Sequence, residues 1–213
     1  YVDGTDLRDR LDARGAFPWG EACLMVEKML AGLEAVHALD IVHRDLKPEN
    51  VLIDHRTTTP KLIDFGIVHE EVSSRDERLT TRHGTKLGTP EYMSPEQVRS
   101  GTVDARTDIY ACGIVLYELI VGERPFESDS DHDVHAMQVK QAPDLSRLPA
   151  DAPEVLTEVI GTALQKAPED RFQSAVGAWA TSPRARCTTC RCGSPSTGTG
   201  RRMTTAPRTA IAW

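Results

Sequence analysis

Eight consecutive residues, His43-Arg44-Asp45-Leu46-Lys47-Pro48-Glu49-Asn50, and a second group, Asp64-Phe65-Gly66, carry the side chains best suited to chemistry in this 213-residue chain. Asp45 brings a carboxylate, Lys47 an ammonium and Asn50 an amide, and Asp64 adds a second carboxylate fourteen positions after Asn50. A carboxylate takes a proton from a hydroxyl, and an ammonium neutralises charge that builds on a transferring group. An amide oxygen beside a carboxylate suits a hard cation such as Mg²⁺. Together these are the parts of a phosphoryl-transfer site, provided that Asn50 and Asp64 meet. Val51-Leu52-Ile53-Asp54 and Lys61-Leu62-Ile63-Asp64 read as short apolar strands around a Thr/Pro turn from Thr57 to Pro60. A hairpin of that length folds Asp64 back beside Asn50.

The two groups match the catalytic loop and metal-binding motif of eukaryotic-like protein kinases. Lys47, two positions after Asp45, has the form typical of serine/threonine kinases. The resemblance continues in order. Gly88-Thr89-Pro90-Glu91-Tyr92-Met93-Ser94-Pro95-Glu96-Gln97 resembles the substrate-docking segment, in a wording similar to that of bacterial members. Asp108-Ile109-Tyr110 with Gly113 resembles the start of the family's central buried helix, and Arg171 the late arginine that pairs with the docking-segment glutamate, here Glu96.

The resemblance implies an α+β, protein-kinase-like fold with a mainly helical large lobe and short β-hairpins. Residues 1–177 read as the C-terminal lobe from the hinge onward. The 213 residues contain no Gly-rich loop, and none of Lys28, Lys47, Lys61, Lys86, Lys140 or Lys166 sits in a Val-Ala-Ile-Lys context. The small N-terminal lobe is therefore expected to be missing, and this chain to be inactive or nearly so without it. A non-catalytic, pseudokinase-like interaction module is the alternative, but such proteins usually lose residues of the Asp45, Lys47 or Asp64 type, and here all three are present.

Residue by residue, the resemblance makes Asp45 the group that orients and deprotonates a Ser or Thr hydroxyl of a protein substrate. Lys47 would lie against the transferring phosphate of ATP, and Asn50 and Asp64 would hold Mg²⁺. Val2 through its amide and Leu52 through its side chain would hold adenine, Asp6 would reach the ribose, and Glu49 would flank the nucleotide. Thr89 would bond Asp45 and Lys47. His43 and Phe65 would stack as packing residues. Arg44 needs a partner for its charge, and a phosphate on Thr85, or on Thr81 as second choice, would supply one. Self-association for trans-autophosphorylation follows from that scheme.

Composition is that of an ordinary globular piece, 39% hydrophobic and 27% charged. A formal charge of −7 argues against nucleic acid as a partner. No apolar run reaches the roughly 20 residues that span a bilayer. A cytoplasmic location is expected, with a membrane anchor in a longer parent left open. Residues 19–39 show a helical apolar period, 108–121 are apolar nearly all round, and Pro153 to Gln165 read as a third helix with Asp151 as candidate cap. Cys23 and Cys112 fall in apolar helical stretches and read as reduced core residues. Glu127 to Asp133 reads as a solvated connection.

Residues 178–213 read as a low-complexity tail rich in Arg, Thr and Ser, either disordered or aberrant. After Ala180 there are six arginines and no acidic residue, leucine or valine, too little apolar surface to order a segment. Cys187, Cys190 and Cys192 lack a fourth ligand for a closed zinc site. An out-of-frame end is expected, because the kinase pattern stops near Trp179. Reading the gene in its other frames past Ala175 should reveal a kinase-like continuation, and finding none would remove the idea.

Overall fold

The computed structural model describes residues 3–65 and 89–180. Strand β1 (Gly4–Asp6) leads directly into helix α1 (Leu7–Arg14), because the Asp6 side chain caps it by accepting from the Asp9 N–H at 2.7 Å. Helix α2 (Trp19–His37) follows, and it buries Ala22, Cys23, Met25, Val26, Met29, Leu30 and Leu33 on one face. It ends two residues before the expected Leu39.

The expected hairpin is present as β2 (Val51–Asp54) and β3 (Pro60–Leu62), antiparallel with Val51 opposite Leu62. β3 stops short of Asp64, whose backbone turns to φ 55°, so the carboxylate leaves the sheet. β1 pairs antiparallel with the other edge of β2, giving a three-stranded sheet in the order β1-β2-β3. That pairing had no signal in the sequence, since three residues are too few for a period.

The helical body continues with α3 (Pro95–Val98), α4 (Ala105–Val121), α5 (Asp131–Lys140), α6 (Glu154–Ala163) and α7 (Ala175–Ala180). Every residue of α4 from Thr107 to Ile120 is buried, so this helix is the axis around which α2 and α6 pack. Asp104 caps its start, and Gly122 ends it at φ 83°, where its N–H reaches the Glu118 carbonyl at 2.7 Å. Cys23 and Cys112 are both buried, and burial followed by Asp108 pushes the Cys112 thiol well up.

Two expectations need correcting. Asp151 does not cap α6. The chain turns before that helix, with the Ala152 N–H on the Pro149 carbonyl at 2.9 Å, and Asp151 is left exposed while Pro153 takes the cap position. Nor is 127–133 wholly a connection, because α5 begins at Asp131. Only Val134 and Gln138 of α5 are buried, so it has no apolar stripe to read. Asp131 and Asp133 in its first turn and Lys140 in its last complement the helix dipole instead.

Gly113 is where α4 and α6 come closest. A Cβ there would stand 2.9 Å from the Ala163 Cβ and 3.0 Å from the Leu164 Cδ2. Gly113→Ala should therefore force these helices apart and cost about 1–3 kcal/mol, read as a lowered urea midpoint with an unchanged slope. An unchanged midpoint would mean that the contact is looser than described.

Candidate active site

The segment from His43 to Asn50 hangs from a single buried carboxylate. Asp108, in the first turn of α4, accepts from the His43 N–H at 2.8 Å through Oδ2 and from the Arg44 N–H at 2.9 Å through Oδ1. His37 Nε2, at the end of α2, lies 2.7 Å from Oδ2. Arg44 takes φ 68°, a left-handed conformation rare for a bulky residue. It is held from both sides, by Asp108 on its N–H and by Gln97 Nε2 on its carbonyl at 2.7 Å.

The turn so fixed brings the reactive groups together. Asp45 Oδ2 receives Lys47 Nζ at 3.1 Å and Asn50 Nδ2 at 3.1 Å, and Asn50 Nδ2 also donates to the Asp45 carbonyl at 2.7 Å. Lys47 Nζ further donates to Thr89 Oγ1 at 3.0 Å, which ties the segment from Thr89 to Gln97 to the Asp45 carboxylate. Asp45 and Lys47 are half-buried, whereas Asn50 is buried. With its NH₂ committed to Asp45, Asn50 keeps its amide oxygen for another partner. The Ile63 N–H bonds the Asn50 carbonyl at 3.0 Å, so Asp64 comes back beside Asn50. Asp64 is exposed and accepts no hydrogen bond among the described residues.

His43 has no exposed surface. Its Nε2 lies 3.0 Å from the Ile63 carbonyl, and its ring meets Phe65 at 4.7 Å between centroids, tilted 42°. Leu52 stands opposite Asp6 across the sheet, while one Asp6 oxygen is engaged in capping α1. Val2, Gly66, Gly88, the threonines and cations expected to carry regulation (Thr80, Thr81, Arg82, Thr85 and Lys86) and the tail cysteines lie outside the described residues.

Two networks around the site were not foreseen. Arg8 on α1 donates to Glu49 at 3.1 Å, Glu118 at 2.9 Å and the Tyr92 hydroxyl at 2.5 Å, and Tyr92 donates to Glu118 at 2.6 Å. Burial would lower the Arg8 pKa, but Tyr92 and Glu118 outweigh it and hold the guanidinium above its ordinary value. Burial, then Glu118, pushes the Tyr92 phenol up. Gln97 was part of a motif only. The Ser-x-x-Gln spacing from Ser94 signals the capping box in which it sits, and that box aims its amide at Arg44.

The docking segment is anchored by Glu96 and Arg171, which meet through two bonds of 2.8 and 2.7 Å. All five guanidinium N–H groups are used, the other three on the carbonyls of Gln165, Arg106 and Lys166. Thr107 adds a bond to Glu96 at 2.7 Å. Burial pushes the Glu96 carboxyl up, but the bonds from Arg171 and Thr107 outweigh it and hold it below the ordinary range.

A carboxylate shared by an ammonium and an amide thus lies beside a second carboxylate returned by a hairpin, a donor set with the chemistry that phosphoryl transfer needs. A family model described as protein kinase domain matches residues 1–180, and the chain belongs to that family. Among curated proteins it is 39% identical over 181 residues to the serine/threonine-protein kinase pkn3 of Myxococcus xanthus, covering 82% of this chain and 33% of that protein. It is 39% identical over 176 residues to the serine/threonine-protein kinase PknB of Mycobacterium leprae, covering 82% of this chain and 28% of that one. To PknA of Corynebacterium glutamicum it is 38% identical over 172 residues, 81% of this chain and 35% of the relative. The chain thus spans about a third of the length of these relatives.

Because the Glu96 carboxyl is held low in the folded state, the stability it supplies is full above the unfolded carboxyl value of about 4.3 and fades as pH falls through the lower folded value. Glu96→Gln, which sets an amide against Arg171, should cost about 3 kcal/mol at pH 7. The difference from the parent should shrink below about pH 4. Urea titrations of both proteins across pH check this, and equal midpoints at pH 7 would remove the pair as an anchor.

Proposed function

We propose that this chain forms the large-lobe half of a serine/threonine protein kinase that transfers the γ-phosphoryl group of ATP to Ser and Thr hydroxyls of proteins. The observation that carries it is the double engagement of Lys47, with Asp45 on one side and Thr89 on the other. That links the proposed base to the proposed acceptor-binding segment. Asp45 would hold the acceptor hydroxyl and take its proton, using the oxygen that neither Lys47 nor Asn50 occupies. Lys47 would screen charge that develops on the transferring group. Thr89 would set the acceptor main chain within reach of both.

Proteins of this family use ATP and Mg²⁺. The donor set here fits Mg²⁺: an uncommitted amide oxygen on Asn50 and an exposed carboxylate on Asp64. Among the described residues no cluster of three or more His, Cys, Asp or Glu could cage a metal, in keeping with an ion that binds through one or two protein ligands plus phosphates and water. When bound, Mg²⁺ supplies charge neutralisation at the phosphates. Asn50 would serve both the ion and, through its NH₂, the orientation of Asp45. Val2, Leu52, Asp6 and Glu49 would form the nucleotide's floor and edge.

No Gly-rich loop or matching lysine is encoded in these 213 residues, so they furnish one wall of the nucleotide cleft. Positioning accounts for most of the catalysis in phosphoryl transfer, and the chain alone should be nearly inactive. No observation favours the reading as a non-catalytic interaction module. Residues 1–177 would form the catalytic lobe and 178–213 a separate tail. No helix among the described residues is long and apolar enough to cross a membrane.

Joined to a small lobe, the chain should phosphorylate protein substrates in a Mg²⁺-dependent way. Asp45→Ala and Asp64→Asn should each depress turnover by about 10²-fold or more, with His43→Phe far milder. Radiolabel transfer from ATP measures this, and full activity in Asp45→Ala would overturn the assignment. Activation should follow phosphorylation of Thr85, with Thr81 second, by another copy of the chain, the phosphate meeting Arg44. Mass spectrometry of the active enzyme locates the site. Full activity with Thr80, Thr81 and Thr85 all changed to Ala would exclude the switch.

A further inference from the structure

Gln138, in the middle of α5, has no exposed surface and no part in the chemistry described above. A buried amide must spend its hydrogen-bonding groups on protein partners, and this one spends them on the docking segment. Its Nε2 lies 2.7 Å from the Glu91 carbonyl and 3.4 Å from the Pro90 carbonyl, and its Oε1 lies 2.6 Å from the Tyr110 hydroxyl. The direction of each bond follows from the partners. The two carbonyls only accept, so the amide nitrogen must face them and its oxygen must face Tyr110. Tyr110 has one proton, and it goes to Gln138. The tyrosine oxygen then accepts from Lys166 Nζ at 2.9 Å.

Tyr110 in turn is locked in place. It has no exposed surface, it lies on α4 two residues after Asp108, and the Arg171 guanidinium covers its ring at 4.8 Å. Burial, with Arg171 and Arg99 nearby, pushes the Lys166 amine down to about 7, and either form of that amine keeps an N–H for the tyrosine. The relay therefore runs from the Glu96–Arg171 anchor through Lys166, Tyr110 and Gln138 to the backbone of Pro90 and Glu91. Pro90 has no N–H, and the carbonyls at 90 and 91 are main-chain groups by which this turn is gripped from outside, beside the side-chain bonds of Thr89 to Lys47, of Tyr92 to Arg8 and Glu118 and of Glu91 to Arg124. Its internal bonds are two, Tyr92 N–H to the Thr89 carbonyl at 3.0 Å and Met93 N–H to the Pro90 carbonyl at 3.3 Å.

We propose that Gln138 is a positioning residue for the protein acceptor: by holding the carbonyls of Pro90 and Glu91 it fixes Thr89 against Lys47, and so sets where an acceptor hydroxyl meets Asp45. This rests on the kinase reading above. It separates two jobs within the docking segment, with Glu96–Arg171 tethering its far end and Gln138 fixing the end nearest the chemistry.

Hydrogen exchange on the 213-residue chain tests the geometry without any need for activity. Gln138→Met keeps the volume and removes both sets of bonds, and Gln138→Glu turns a carboxylate oxygen toward two carbonyls. Both should speed exchange of the Tyr92 and Met93 amides about tenfold, while the Ile114 amide in α4 keeps its protection and reports an intact fold. Tyr110→Phe, which removes the proton donor, should loosen the same two amides. Combined with Gln138→Met it should add little, because the relay acts as one unit. In the form joined to a small lobe, Gln138→Met should raise KM for a protein acceptor about tenfold and leave KM for ATP unchanged. Unchanged exchange at Tyr92 and Met93 in a folded Gln138→Met chain overturns the inference, as does an equal rise in both KM values. Loosened amides in the Gln138→Met chain, together with no phosphate transfer by the unsubstituted chain joined to a small lobe, would instead overturn the kinase reading and leave the relay supported.

Discussion

The Asp108 carboxylate is the constraint on which the rest of the site depends. It is buried in the first turn of α4 and has two oxygens for three partners: the N–H groups of His43 and Arg44 and the ring of His37. A charge so placed is tolerated only while it is fully bonded, so the fold and the catalytic turn stabilise one another. The left-handed Arg44 that results would be unfavourable in a free loop. Here it reverses the chain so that Asp45, Lys47 and Asn50 follow on one side. The placement of Asp45, Lys47 and Asn50 thus comes from the core, through a buried residue of α4 that lies outside their segment.

A second layer of organisation joins elements distant in the chain around the docking segment. Arg8 draws α1, Glu49, Tyr92 and Glu118 together, while Glu96 and Arg171 close the other side. Both clusters are mixed-charge networks whose buried members have partners, which is how charge survives in a low-dielectric interior. The segment 89–97 is consequently tied to several elements at once, and short 3₁₀ turns suffice where a regular element would be too rigid to present backbone groups.

Much of this was legible in the residues. The hairpin that returns Asp64 to Asn50 follows from two apolar runs around a Thr/Pro turn, and the helices α2, α4 and α6 follow from period and apolarity. What could not be read has physical causes. Strand β1 and helix α5 lack an apolar pattern, because one is three residues long and the other buries only Val134 and Gln138. The cap expected at Asp151 failed because a preceding turn carries that residue away from the helix axis. Arg8, Gln97 and Gln138 are polar residues whose long-range partners lie 41 to 110, 53 and 28 to 48 positions away, and no local spacing names those distant partners. Single-sequence reading finds groups that share a motif, and misses those whose role is set by where the fold carries them.

The bonds made by Asn50 have one more consequence, which concerns the protein's chemical ageing. Its nitrogen bridges the Asp45 carbonyl and carboxylate, and a deamidated side chain has nearly the same shape. Hydrolysis of that one amide, with water added and ammonia released, would leave the packing around it nearly undisturbed. It would replace two donated bonds with a carboxylate oxygen 3.1 Å from the Asp45 Oδ2, a repulsive contact in place of an attractive one. A preparation so altered keeps its fold and melting behaviour while the groups around Asp45 are disturbed, an injury that intact-mass measurement at one-dalton resolution would register before any loss of structure.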